Sequence, residues 1–341
     1  MKKYLLPQSG QFYKANLHMH TTISDGQMTP IETKEKFMEQ GYSIVAFTDH
    51  EIMVPHPELT DDKFLAITST EIAIDEDKNI DMGFRKVYHL NIYSKDPNRT
   101  LFHSFDSNNI WLKHSLDYIS EDIKGITYDR KYTIDDINYI IEMANKEGCL
   151  VSYNHPFWSL QEYKDYIGLK GLWGVEWHNT GCVRNGYIDT IQTVDDLLRQ
   201  GENVYPLATD DAHSIYDCFG GFVMVKANDL KYNTIMKALE KGDFYSSTKP
   251  EIKELYIEDG IIYIKTSKVR KIALTSERRH TVCQTAKDGE LIECAVFDIN
   301  DYLDRYKDND SSKAYIRLTI TDQEGYLAYT RAYFVKELIN K

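Results

Sequence analysis

The amino-acid sequence predicts an α/β protein over residues 1–249, followed by a small all-β domain over residues 250–341. Three observations carry this. Seven short apolar runs, rich in Val, Ile, Leu and aromatics and each about the length of a buried strand, fall at residues 15–19, 43–48, 64–69, 86–93, 149–153, 172–177 and 203–209. Helical segments lie between several of them, and strands alternating with helices imply a parallel sheet or a barrel. After Gly242 the helical pattern stops and six strand-like runs succeed one another, at 252–258, 261–266, 271–275, 291–297, 314–321 and 326–334.

The first helix has a legible start and stop. Thr29 caps it, Pro30 suits its first position, Glu32 completes a capping box and Gly41 ends it. A second runs from about Thr133 to Lys146, with Gly148 beyond it. A third begins at Thr193, with Asp196 three residues on, and stops at Gly201. Residues 96–131 break this rhythm and are too long for a plain connection, so they read as an inserted helical or loop region, a candidate lid. In the C-terminal part Asp259-Gly260 is a two-residue hairpin turn.

Composition narrows the partners. A net charge of -13 argues against a surface for long nucleic acid, whose backbone is bound by excess Lys and Arg. A phosphorylated small molecule remains compatible, because bound cations invert the local field. The apolar run expected of a signal peptide is stopped at Pro7, and no stretch is long enough to span a membrane. Cys149, Cys182, Cys218, Cys283 and Cys294 are widely spaced with no C-x-x-C pair, as for reduced thiols of a cytoplasmic protein.

The chemistry lies where the strands end. The first run ends His18-Met19-His20 with Asp25 just beyond, the second Asp49-His50, and the third at Glu71. The fourth contains His89, the fifth runs into Asn154-His155-Pro156, the sixth holds Glu176, and the seventh ends Asp210-Asp211-Ala212-His213. In a barrel of parallel strands these ends converge on one mouth. Residues two apart on a strand face the same side, so His18 and His20 can grip one ion together, and Asp211 and His213 share that spacing. Mixed imidazole and carboxylate ligands suit zinc, manganese or iron. Burying so many ionisable groups without ions would cost several kcal/mol each, which favours a cluster of divalent metal ions.

In this order N-L-H-M-H-T-T-I-S-D-G, F-T-D-H, T-S-T-E-I, Y-H-L, N-H-P and T-D-D-A-H, spread over residues 15–249, resemble the PHP (polymerase and histidinol phosphatase) family. The resemblance implies a distorted seven-stranded β/α barrel and two or three divalent metal ions. By it, His18, His20, Glu71 and Asp211 hold a first ion; Glu71 bridges to a second, completed by His89 and His155; Asp25, His50 and His213 hold a third. Asp211 is preferred to Asp210 on the family pattern D-x-H, and Asp49 orients a ligand. The stretches V-E-W-H-N, L-L-R-Q-G, G-D-F-Y-S-S and A-Y-T-R-A-Y-F resemble the family branch with a C-terminal β-domain, in which Glu176 and Asn179 line the pocket. His178 either packs or touches substrate.

The function implied is phosphoester hydrolysis by a metal-activated water on a small phosphorylated substrate or nucleotide. Asp25, His50 or His213 would protonate the leaving oxygen, and Arg184 and Arg85 are the candidate cations for the substrate's remaining charge. The alternatives are a metallohydrolase of a carbamate or amide bond and a 3′–5′ exonuclease on short oligonucleotides.

Overall fold

The computed structural model describes residues 2–307 and 309–339. Seven strands correspond to the seven apolar runs, the first displaced so that it shares only Ala15 and Asn16 with its run: β2 (Gln11–Asn16), β3 (Tyr42–Phe47), β4 (Leu65–Asp75), β5 (Val87–Ser94), β6 (Cys149–Tyr153), β7 (Gly174–Asn179) and β8 (Tyr205–Thr209), preceded by the short β1 (Lys2–Tyr4). They lie side by side in sequence order. The pairs β2–β3–β4 and β6–β7–β8 are parallel, whereas β5 runs antiparallel to both of its neighbours. The strands β6 and β8 are buried at every residue, as expected where both faces of a sheet are covered.

The result is a mixed α/β sheet that strand pairing does not close. The strands β8 and β2 do not pair; an isolated bridge between Met19 and Ala212, beyond their ends, joins the two segments. On the far side of β2 the sheet continues through β9 (Phe222–Ala227) and β10 (Phe244–Ser247). The barrel expectation thus gives way to an open sheet, because the free edge of β2 is taken by β9.

The helices follow their local chemistry. In α1 (Pro30–Glu39) the Thr29 side chain accepts from the Glu32 backbone N–H, and the Glu32 carboxylate accepts from Thr29 N at 2.8 Å, the reciprocal capping box. Helix α2 (Ile134–Lys146) is capped by Thr133 and buries Ile137, Ile140, Ile141 and Ala144 against β6, the 3–4 spacing of one helix face. The short α3 (Tyr163–Tyr166) and α4 (Thr180–Arg184) follow β6 and β7. Helix α5 (Gln192–Gln200) ends at Gly201 with φ 94°, but Thr193 and Asp196 lie buried inside it and form no cap. Helix α6 (Tyr232–Lys241) precedes β10.

Residues 96–131 contain no α-helix, only 3-10 turns at Ser107–Asn109 and Lys113–Tyr118. They are docked rather than free. Ser115 Oγ donates to Ile23 O at 2.6 Å, and the buried Arg130 guanidinium pairs with Glu51 at 2.7 Å.

The C-terminal part comprises β11 (Ile252–Glu258), β12 (Ile261–Val269), β13 (Lys271–Ser276), β14 (Thr281–Thr285), β15 (Ile292–Asp298), β16 (Tyr315–Thr321), β17 (Leu327–Thr330) and β18 (Tyr333–Phe334). The strand β14 has no apolar pattern in the sequence because its side chains are almost all exposed. Two short helices, Asn300–Asp304 and Val335–Ile339, are also additions to the sequence reading. Asp259 and Gly260 both have positive φ, 50° and 77°, as the tight β11–β12 hairpin requires. One sheet, β1-β11-β12-β15, packs on the other strands around Leu255, Ile262, Ile272, Leu318 and Ile320. The second group joins the main sheet through β17 on β10. The chain is thus not cut cleanly at residue 250: β1 belongs to the C-terminal sheet and β10 to both. A bidentate pair between Arg317 on β16 and Asp195 on α5, at 2.8 and 2.7 Å, further ties the two parts.

No helix among the described residues is long and apolar enough to cross a membrane. All five cysteines are free.

Candidate metal centre

The His-x-His segment lies just past the end of β2. Leu17 and Met19 are fully buried on one side, and the alternation sends His18 and His20 to the other. Asn16 fixes this turn of chain: its Nδ2 donates to His18 O at 3.0 Å and its Oδ1 accepts from Asp210 N at 3.1 Å, joining the ends of β2 and β8. The next residues fold back over Asp49, whose carboxylate accepts from Thr21 N at 2.8 Å and Ser24 Oγ at 2.7 Å. Asp49 therefore shapes the loop that presents Asp25 and does not orient a histidine. The same fold-back requires Gly26, where a Cβ would stand 2.2 Å from His20 O.

Glu71 sits in mid-β4, not at its end, because β4 continues to Asp75 to pair with β5. His89 is the third residue of β5 and reaches the same mouth only because β5 is inverted. His155 and Asp211 follow β6 and β8 at positive φ, 26° and 50°. Non-glycine residues there store strain of about 1–3 kcal/mol each, a cost borne where the surroundings dictate the conformation. Here His155 N donates to Glu176 Oε2 at 3.0 Å and Asp211 N to His18 O at 3.0 Å.

Among the described residues the metal-type side chains fall into three touching groups: His18, His20, Glu71 and Asp211; Glu71, His89 and His155; and His20, Asp25, His50 and His213. Within the first, His18 Nε2 and His20 Nε2 face each other at 3.2 Å, and Asp211 Oδ1 is 3.2 and 3.1 Å from them. Glu71 lies across both histidines, Oε1 at 3.2 Å from His18 and Oε2 at 3.3 Å from His20. Ligands about 2.0–2.1 Å from a tetrahedral ion stand ~3.3 Å apart. The edges of this group therefore match the cage of one small cation. In the second group Glu71 Oε1 is 3.1 Å from His89 Nδ1 and 3.4 Å from His155 Nε2. In the third Asp25 Oδ2 is 3.7 Å from His50 Nε2 and 3.4 Å from His213 Nε2, and Asp25 Oδ1 is 3.8 Å from His20 Nδ1.

Two buried atoms in these groups, His20 Nδ1 and Asp211 Oδ1, have no hydrogen-bond partner. Polar atoms left so in a protein interior are costly; a cation would satisfy the acceptor Asp211 Oδ1, whereas His20 Nδ1 carries the ring proton once Nε2 faces the cluster. The residues present thus fit divalent ions.

The ring orientations suit that role. His18 Nδ1 donates to Glu176 Oε1 at 2.7 Å, which leaves Nε2 for the cluster. His155 Nδ1 is held by Ser159 Oγ at 3.1 Å and His213 Nδ1 by Asp211 O at 3.1 Å, again leaving Nε2 inward. Anchoring of the outer nitrogen is what fixes the tautomer of a metal-binding imidazole.

Protonation compensates for the dense charge. Burial works against a charge on His20, yet the adjacent carboxylates of Asp211 and Glu71 outweigh it and hold the imidazole up at about 10. Burial likewise opposes ionisation of Glu71, Asp211 and Asp25, but the surrounding histidines prevail and keep all three well below the ordinary carboxylate range. His50 goes the other way: burial and then the charge of His20 push it down to about 3.

The remaining candidates have other partners. Glu176 is 2 % exposed and accepts from His18, Thr209 Oγ1 (2.6 Å), the His155 amide and Asn179 Nδ2 (3.0 Å). It stands behind His18 and, with Asn179, also lines the cavity beside His155. Asn179 caps α4 and donates to Asp211 Oδ2 at 3.1 Å. Arg85 is bound to Asp75 at 2.9 Å and to the Lys78 carbonyl, and so belongs to the β4–β5 hairpin. Arg184 is exposed beside the Tyr216 ring, 5.4 Å from its centroid. His178 is engaged by Asp189 at 2.6 Å and Thr180 at 3.1 Å. Asp210 accepts from Thr180 and from the amides of Phe219, Gly220 and Gly221, which takes it out of the cluster.

Three supports escaped the sequence reading: Asn154, whose Nδ2 donates to Glu71 Oε1 at 2.8 Å, Ser159 and Thr209. Asn154 stood in plain view beside His155, whereas nothing local marks the other two.

No family model matches the chain, and no curated protein does. Among solved structures it is similar to a two-domain protein from Bacteroides vulgatus containing a predicted PHP-like metal-dependent phosphoesterase. The identity is 14 %, the match covers 97 % of this chain and 98 % of that one, and the TM-score is 0.47. It is also similar to a lesion-specific endonuclease from Pyrococcus furiosus, at 17 % identity over 67 % of this chain and 56 % of that one, TM-score 0.38. An amidohydrolase from Chromobacterium violaceum matches at 12 % identity over 67 % and 96 %, TM-score 0.38.

Proposed function

We propose that this chain is a metal-dependent hydrolase of phosphate esters of small molecules, with the PHP-type site its motif order resembles. The observation that carries the reading is the first group. Two inward-facing imidazole nitrogens 3.2 Å apart are capped by the carboxylates of Glu71 and Asp211, with the buried acceptor Asp211 Oδ1 left without a hydrogen bond.

His18, His20, Glu71 and Asp211 would hold one ion, Glu71, His89 and His155 a second, and Asp25, His50 and His213 a third. Zinc, manganese or iron suits this mixed nitrogen and oxygen donor set. Such ions, when bound, acidify a water toward a pKa of about 7 and neutralise phosphoryl oxygens. The chain's own part is orientation. Asn154 holds Glu71 among five histidines, where it could serve the first two ions, and Glu176 and Ser159 lock the tautomers of His18 and His155. Asp25 and His213 are the most exposed members of the set, with side chains 25 % and 36 % accessible, and they mark the side from which substrate enters. Asp25, His50 and His213 stand together at that entrance, and one of them would supply the proton for the leaving oxygen. Arg184, which pairs with no carboxylate among the described residues, is the candidate cation for a substrate's second anionic group, whereas Arg85 is taken by Asp75.

Purified protein is expected to carry about two or three equivalents of transition metal and, loaded with manganese or zinc, to release p-nitrophenol from a phosphate mono- or diester. His20→Ala should abolish this turnover. Carbamate and amide substrates belong in the same panel: hydrolysis of those alone, or of nothing in a fully metal-loaded preparation, would overturn the reading.

A further inference from the structure

The chain has four tryptophans, and they divide sharply. Trp173 and Trp177 are core residues, 6 % and 3 % exposed, and each indole N–H is satisfied, by Leu239 O at 2.8 Å and Ser246 Oγ at 2.9 Å. Trp111 and Trp158 are 62 % and 40 % exposed, and among the described residues neither indole N–H has a protein acceptor. Leaving a large apolar ring in water forfeits the stabilisation that burial gives, so two such rings on one opening need a reason.

Both lie against the metal cluster. The Trp158 ring is 5.0 Å from that of His155 and 5.6 Å from that of His89; the Trp111 ring is 6.5 Å from that of His50. His50 and His89 are themselves neighbours, ring centroids 5.8 Å apart, so the indoles flank one opening. They come from unrelated segments. Trp158 follows β6, and Trp111 stands in the docked insertion, held by Ser115 on Ile23 O. The insertion thus fixes a wall beside His50. The wall of the adjoining cavity near His155 is continued by Phe157 and Tyr187, whose rings are 6.4 Å apart.

We propose that Trp111 and Trp158 form a clamp for a flat, ring-bearing leaving group, so that the preferred substrate is the phosphate ester of a ring-bearing alcohol rather than of a simple sugar. This rests on the phosphoesterase reading above. Selecting a sugar requires polar side chains that read its hydroxyls, whereas bare indole faces read only the face of a ring and stack most strongly on a flat π-system. The two free N–H groups supply donors at the clamp's edge. The clamp acts on binding of the leaving group and touches no reacting atom.

The test uses the full manganese-loaded chain and a pair of esters of similar bulk and leaving-group basicity, benzyl phosphate and cyclohexylmethyl phosphate. The wild type should favour benzyl phosphate in kcat/KM by about 10- to 100-fold, the range expected for stacking of one ring. Trp111→Ala and Trp158→Ala should each erode that ratio, mainly through KM, and the Phe variants should retain it. Equal rates on the two esters, or a ratio unchanged in both Ala variants, would overturn the clamp. Adenosine 5′-phosphate against ribose 5-phosphate identifies the source of the ring: a matching preference points to a nucleobase, and a preference confined to benzyl phosphate to a simple arene. Quenching of tryptophan emission by benzylphosphonate needs no turnover. Quenching without hydrolysis of any ester sinks the phosphoesterase reading and keeps the clamp, and hydrolysis without ring preference does the reverse.

Discussion

Glu176→Gln tests whether a residue that lines the cavity beside His155 also anchors His18. The wild-type carboxylate receives four donors, His18 Nδ1 and Thr209 Oγ1 on Oε1, and the His155 amide and Asn179 Nδ2 on Oε2, at 2.6–3.0 Å. Glutamine fills the same volume but replaces one acceptor oxygen with an NH2 group. Whichever way the amide is turned, two buried donors then face another donor. Each orphaned donor costs about 1–3 kcal/mol, so the folded state should lose ~2–6 kcal/mol before relaxation. If the NH2 group faces His18, the imidazole is driven to carry its proton on Nε2, the atom turned to the cluster. Loss of such an anchor lowers metal affinity by about 10–100-fold. Chelator competition with manganese or zinc reads the affinity, and a urea melt of the metal-free protein reads the stability. KM at saturating metal should stay close to wild type. Unchanged metal affinity with a raised KM would refute this reasoning and return Glu176 to the substrate.

Metal uptake at pH 7 should release protons. In the metal-free fold His20 is held up at about 10 and is therefore charged at neutral pH, whereas Glu71, Asp211 and Asp25 are held low and have no proton to give. The binding heat should thus vary with the ionisation enthalpy of the buffer, and a heat independent of buffer contradicts it. By the same linkage, the stability His20 lends the metal-free protein is fully present below its unfolded value near 6.5 and is lost as pH rises through about 10. Arg317→Ala should destabilise the protein by about 3–5 kcal/mol, because it leaves the buried Asp195 carboxyl between α5 and β16 without its partner. A urea midpoint equal to wild type would show that this ion pair does not join the two parts.

The strand runs and metal-type residues were legible in the sequence because both obey local rules. Apolar runs of strand length foretold β2 to β8, and the capping chemistry of Thr29 and Glu32 foretold α1. Where local rules were overruled, packing is the reason. Glu71 looked terminal beside an apolar run that ends at residue 69, but pairing with β5 extends β4 four residues beyond Glu71 to Asp75. Thr193 and Asp196 have cap spacing but sit inside α5, where burial decides. The strand β14 was invisible because it is held by backbone pairing with β13 and not by apolar side chains.

By itself the sequence determined the kinds of group at the site and their order, since a His-x-His step or an Asp two residues before a His carries its own geometry. Only the tertiary structure decided which groups face each other. The inversion of β5 brings His89 to the mouth, the fold-back over Asp49 and Gly26 turns Asp25 toward His213, and four donors converge on Glu176 behind His18. The docked insertion sets Trp111 beside His50. These arrangements depend on contacts between segments tens to hundreds of residues apart, which no local pattern in the chain records.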